Sequence, residues 1–221
     1  MILAAELIPT WLNVAALVLM LVCLAGALLS AHWRALISVP SRQHVLFGGV
    51  LCLLLLWLLT VQVADGVWVH ILGITSMTLI VGWRFTLIGG TVVLLAHLWW
   101  VGQSYLAIPV AFLFSILVPA SITRVLVYLL RRYAMANLFV YMLGAGFGGG
   151  LLSSLAMALL ALPVFWLAGQ GAWVTGAFDN WPLIFLMLFP EGFINGMLVT
   201  ALTVFYPDVV KTFDDDYYLN Q

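Results

Sequence analysis

The stretch Trp11–Ala31 reads WLNVAALVLMLVCLAGALLSA and holds no charged side chain. A bilayer core about 30 Å thick needs about 20 apolar residues of α-helix, and this run supplies them. No basic segment precedes it, and the apolar run after Pro9 is too long for the core of a cleaved signal peptide. It reads as a retained first transmembrane span.

The 221 residues are 66% hydrophobic and 7% charged. Soluble domains run near a quarter charged, and a soluble chain this short cannot hide so much apolar surface. The expected fold class is therefore an all-α polytopic membrane bundle forming one domain over residues 1–221. Seven spans are expected, at about 7–31, 47–64, 67–82, 85–101, 105–130, 137–168 and 181–206. The third and fourth are short. Pro109, Pro119 and Pro190 fall inside spans and predict kinks, since each removes a backbone donor. The sixth span is long and predicts a bend at Gly146–Gly150 or an end at Pro163.

Orientation follows from the cations. Arg34 and Arg42 lie in the first connection, Arg84 in the third, Arg131 and Arg132 in the fifth, and Lys211 in the tail. With seven spans all six fall on one side, which is then cytoplasmic. Arg124 lies inside span five and reaches the same side by snorkelling. The N-terminus is then outside and the C-terminus cytoplasmic. Many of the ten Trp, among them Trp11, Trp68, Trp99, Trp100, Trp173 and Trp181, fall near outer span ends as an interfacial belt.

Small residues recur four apart in span six, at Gly144 and Gly148 and at Gly146 and Gly150, and in span one at Gly26 and Ser30 and at Ala27 and Ala31. Such spacing lets backbones approach closely, either within this chain or against another membrane subunit. Cys23 and Cys52 both lie in apolar runs and read as small core residues. A net charge of −1 with no basic stripe excludes nucleic acid as a partner.

Ionisable groups at membrane depth are costly and mark candidate sites. His70 lies in span three, a few residues past the outer loop carrying Asp65. His97 lies thirteen residues beyond Arg84, about 20 Å up the helix. Glu191 lies ten residues into span seven from outside, about 15 Å deep. All three depths fall in the outer half, and imidazole with carboxylate suits divalent nickel, cobalt or zinc. Each has a plainer reading: a hydrogen-bonded packing histidine, or a carboxylate serving backbone groups freed by Pro190. His32 and His44 read as solvated or at the headgroups, and Asp214-Asp215-Asp216 as a hydrophilic end. No Gly-x-x-x-x-Gly-Lys-Ser/Thr loop and no Gly-x-Ser-x-Gly elbow occurs, and no nucleophile accompanies Glu191, so an enzyme is not expected.

His70-Ile71-Leu72-Gly73, Leu79-Ile80-Val81-Gly82-Trp83 and Thr91-Val92-Val93-Leu94-Leu95 together resemble the middle of the CbiM-type permeases. These are the substrate-capture components of energy-coupling-factor transporters for cobalt and nickel. Glu191-Gly192-Phe193-Ile194-Asn195-Gly196 is similar to that family's Gly-x-Gly-Glu-Gly/Ala-Leu-Ile-Thr-Gly run, and His97 stands where members carry a Gln. The resemblance covers about 65–125 and 185–200. It implies seven spans, a bacterial inner (plasma) membrane location, a separate transmembrane coupling subunit and separate ATPase subunits. It also implies nickel or cobalt as substrate, with no permanently bound cofactor. The family begins Met-His-Ile-Pro-Asp-Gly and captures metal with the terminal amine, backbone and that His, together with the His matched by His70. Here the chain begins Met1-Ile2-Leu3-Ala4-Ala5-Glu6, so half of that site is missing. The expectation is a divergent capture subunit with His70, His97 and Glu191 as ligands. The alternative is a membrane assembly or structural subunit, serving the maturation of a metalloprotein, with no transport of its own.

Overall fold

The computed structural model describes residues 2–64 and 66–219. The chain is 80% helical, as an all-α membrane bundle requires. Strand β1 (Ile2–Leu3) and a short 3-10 turn lead into α1 (Thr10–Ser30), α2 (Trp33–Ile37) and α3 (Pro40–Trp57). Strands β2 (Val61–Ala64) and β3 (Val67–Val69) precede α4 (Ile74–Val81) and α5 (Trp83–Trp100). Then come α6 (Tyr105–Tyr133), α7 (Val140–Leu167), α8 (Gly171–Asp179), α9 (Trp181–Phe205) and α10 (Asp215–Leu219).

Among the described residues, four helices are long and apolar enough to cross a bilayer: Thr10–Ser30, Tyr105–Tyr133, Val140–Leu167 and Leu188–Phe205 within α9. Their enclosure differs. The apolar window of α6 is 67% buried and that of α1 only 17%, so α6 runs through the centre and α1 along the edge. Leu29 and Val22 of α1 are 88% and 64% exposed, a surface suited to lipid rather than water. Helices α3 and α5 have 18 residues each, about 27 Å of rise. Both carry polar groups: α3 opens on Ser41, Arg42, Gln43 and His44, and α5 holds Arg84, Thr86, Thr91 and His97.

The two segments expected as spans 47–64 and 67–82 differ from continuous helices. Helix α3 stops at Trp57, and an antiparallel sheet of order β1-β3-β2 follows. Ile2 pairs with Trp68, Leu3 with Val67 and Val61 with Val69, with a register shift between Gln62 and Ala64. Val61, Val63, Val67 and Val69 are β-branched, which favours a pleated strand over a helix. Gly66 turns the hairpin at φ 78°, where an L side chain is strained. Asp65, expected in this outer loop, lies outside the described residues. An unbroken apolar run cannot by periodicity alone separate a buried strand from a helix. The chain start is part of the core: Ile2 and Leu3 are 1% and 2% exposed.

The kinks expected from proline take a specific form in α6. A π-helical turn at Leu113–Leu117 lies just before Pro119, whose missing N–H breaks the ladder there. The carbonyl of Pro119 accepts from Thr123 Oγ1 at 2.9 Å and from Ser153 Oγ at 3.1 Å. In α7 the glycine-rich part, Val140–Gly148, is π-helical. Of the small residues of α7, Gly146 and Gly150 pack against α9. A Cβ on Gly150 would lie 2.9 Å from the Glu191 carbonyl and 3.0 Å from Gly192 Cα, and one on Gly146 would lie 3.3 Å from Gly196 Cα. Glycines on both helices thus bring the α7 and α9 backbones into contact. Cys23 is half-buried and Cys52 is exposed, so Cys52 is not the core residue expected.

Candidate functional site

Helix α4 has eight residues, and Ile74–Leu79 and Val81 are all buried. A helix this short leaves most of its end groups without intrahelical partners, and in a buried place other groups must satisfy them. Residues on α9 do so at the N-terminal end. Glu191 Oε2 accepts from the Leu72 amide at 2.6 Å, and Oε1 accepts from the Gly73 amide at 2.9 Å. One turn on, Asn195 Oδ1 accepts from the Ser76 amide at 2.8 Å and from Ser76 Oγ at 2.7 Å. Asn195 Nδ2 donates back to Glu191 Oε1 at 2.6 Å. Positions i and i+4 share one face of α9, so the two side chains act as a single cap. The negative carboxylate faces the positive dipole end of α4.

The turn into α4 depends on Gly73, at φ 65°. A Cβ there would also lie 2.8 Å from a Leu56 methyl, so residues 70–73 are held against α3. At the other end of α4 the tail supplies the missing donors. Lys211 N donates to the Ile80 carbonyl and Thr212 N to the Leu79 carbonyl, both at 3.1 Å. Arg131 Nη2 and Tyr141 bind Thr212 in turn, each at 2.7 Å. Helix α4 is therefore clamped between α9 and the C-terminal segment.

Directly before this clamp, His70 packs against α3 and α5. His70, His97 and Trp57 are 6%, 0% and 0% exposed. Ring centroids lie 4.3 Å apart for Trp57 and His70, 5.9 Å for Trp57 and His97, and 5.7 Å for His70 and His97. Trp57 Nε1 donates to the Leu72 carbonyl at 2.8 Å, tying the ring to the same segment that Glu191 holds. His97 Nε2 lies 3.3 Å from Thr60 Oγ1, and His70 Nδ1 lies 3.3 Å from the Ile71 carbonyl. His97 Nδ1 is buried and has no hydrogen-bond partner among the described residues.

All three residues expected at the site are thus buried around residues 70–73, but in two groups. His70 and His97 come together beside Trp57. Both oxygens of Glu191 are taken up by the Leu72, Gly73 and Asn195 donors. Among the described residues, no three His, Cys, Asp or Glu side chains are grouped so as to hold a metal ion. His32 and His44 are exposed, as expected. Asp214 Oδ1 accepts from the Tyr217 amide at 3.3 Å and caps α10.

Sequence reasoning missed Asn195, Trp57 and Thr60. The i, i+4 spacing of Glu191 and Asn195 was a readable signal; nothing in the sequence pointed from Thr60 to His97. A second buried polar group, Thr75, Thr123 and Ser153, was missed as well. Its hydroxyls lie 3.1 to 3.3 Å apart and join α4, α6 and α7 around the Pro119 carbonyl. Compared with protein families, with characterised proteins and with solved structures, the chain matches none.

Proposed function

We propose that this chain is the membrane-embedded substrate-capture subunit of a transition-metal transporter, with His70 and His97 as the protein ligands of a nickel- or cobalt-like cation. One observation carries the reading: two buried imidazoles sit side by side, and one presents a nitrogen, His97 Nδ1, with no partner among the described residues. A buried polar atom without a partner calls for an explanation, and an arriving cation supplies one. Imidazole suits nickel and cobalt. Glu191 takes a different part from the one expected of it. Together with Asn195 it is a positioning residue that holds the backbone of 72–76 and so aims His70.

Seven crossings with the N-terminus outside belong to this proposal. The third crossing runs through β3, residues 70–73 and the half-helix α4. Non-helical backbone is tolerated at membrane depth only where protein covers it, and Val67, Leu72 and Ile74 are 3%, 2% and 0% exposed. The convergence of Arg84, Arg131 and Lys211 near one end of α4 supports a single cytoplasmic side. The proposed setting is a bacterial inner membrane, with a coupling subunit and ATPase subunits supplied by other chains.

A second reading, a non-transporting assembly or structural subunit, is favoured by the engagement of both Glu191 oxygens with donors of the chain itself. Elemental analysis of protein purified after nickel or cobalt loading separates the two. The capture reading expects near-stoichiometric metal in the wild type and its loss in both His70→Ala and His97→Ala. Metal at background level in the wild type, or unchanged in both variants, refutes it.

A further inference from the structure

Around the C-terminal end of α4 lie two cavities, of about 270 and 1100 Å³, that share Arg84 and Lys211. The smaller one is also lined by Arg124 and Arg131, and no acidic residue lines it. Four cations from α5, α6 and the tail therefore face one opening. The larger cavity is mixed: Arg42 joins its wall, and so do Asp208, Asp214 and Asp216.

Like charges brought together repel, less so where water screens them, and an anionic ligand relieves what repulsion remains. Among the residues lining the two cavities, counter-charges stand on the larger one alone, as Asp208, Asp214 and Asp216. Among the described residues none of Arg84, Arg124, Arg131 and Lys211 forms an ion pair. Arg84 Nε donates to Ser30 Oγ at 2.7 Å, and Arg124 lies 5.3 Å over the Trp83 ring. Arg131 donates to the Thr212 carbonyl. Lys211 Nζ reaches the Val81 carbonyl at 3.5 Å. The end of α4 itself contributes only about half a negative charge, which cannot balance four cations. Burial first, and then the charges of Arg84 and Arg42, hold the Lys211 amine below its usual range.

We infer that the smaller cavity binds a phosphate-bearing anion. Three guanidinium groups offer paired N–H donors that match phosphate oxygens, and the lysine adds a compact fourth charge. Thr78 and Thr212 line the same wall, with their hydroxyls donating to the Ile74 and Leu79 carbonyls. The ligand is either an anionic phospholipid headgroup at the cytoplasmic face or a free phosphate compound. The site lies at the end of α4 remote from His70, and the same tail residues that close α4 form part of it. This inference does not rest on the metal-capture reading.

The test follows the thermal midpoint of the full chain in dodecyl maltoside at low salt. Three probes are titrated separately: sodium pyrophosphate, dioleoylphosphatidylglycerol and dioleoylphosphatidylcholine. Saturable stabilisation by phosphatidylglycerol alone assigns a lipid headgroup, by pyrophosphate alone a free phosphate, and by both a site open to either; each supports the inference. Arg124→Gln should raise the apparent Kd at least about tenfold, the loss of one charge-assisted hydrogen bond. Arg124 is exposed, so this variant is expected to fold, and Arg124→Lys should retain most of the binding. Arg34→Gln, outside both cavities, should bind as the wild type does. The inference is overturned if neither anion stabilises the protein or phosphatidylcholine does so equally well. It is overturned equally if Arg124→Gln binds as tightly as the wild type or Arg34→Gln weakens binding as much.

Discussion

Replacing Glu191 by Gln tests the capping of α4 directly. The carboxylate accepts from three donors, the Leu72 amide, the Gly73 amide and Asn195 Nδ2, at 2.6 to 2.9 Å. Gln keeps one acceptor oxygen and turns an NH₂ group toward the donors that the other oxygen served. At least one buried donor is then left unsatisfied, at a cost of about 1–3 kcal/mol. Loss of the negative charge at the helix N-terminus adds up to about 2 kcal/mol. For a chain of this length each kcal/mol lowers the midpoint by about 2–4 °C, so a fall of roughly 2–20 °C is expected. Thermal unfolding of the purified protein in detergent, followed by tryptophan fluorescence, reads this out, because Trp57 is bonded to the Leu72 carbonyl in the same segment. Asn195→Asp should also destabilise, since it removes the Nδ2 donor and sets a second carboxylate against Glu191. A Glu191→Gln protein that melts with the wild type would show that the cap is not what holds residues 72–76.

The glycine contacts between α7 and α9 make a second prediction. Gly150→Leu drives a side chain against the Glu191 carbonyl and Gly192 Cα and should abolish monodisperse protein on size exclusion. Gly148→Leu meets only the Leu143 carbonyl of its own helix, at 3.2 Å, and should be much milder; equal behaviour of the two would refute this packing. Topology is tested in a Cys23→Ser/Cys52→Ser background. Ser104→Cys should react with a membrane-impermeant maleimide on intact cells and Tyr133→Cys only after lysis, and the reverse pattern would overturn the outer N-terminus.

Much of the membrane character was legible from composition and run length. Trp11–Ala31 and the runs at 105–130 and 137–168 are long and uncharged enough that only a helix in lipid suits them, and three long helices stand there. The stretch between Leu58 and Val81 was not legible as structure. Its polar residues, Thr60, Gln62, Asp65 and His70 among them, lie scattered among apolar ones and mark no sustained period, and β-branching was too weak a signal against the demand for another span. Pairing with Ile2 and Leu3, more than sixty residues away, decided that Val67–Val69 became a strand.

The site divides in the same way. Sequence alone marked His70, His97 and Glu191, because an ionisable group in an apolar run stands out whatever it does. Which of them meet depended on how α3, α5 and α9 pack, a property of distant segments that no local pattern encodes. Tertiary structure set the two imidazoles against Trp57. It turned Glu191 to the open end of a half-helix, where buried amides need an acceptor and the carboxylate finds three donors.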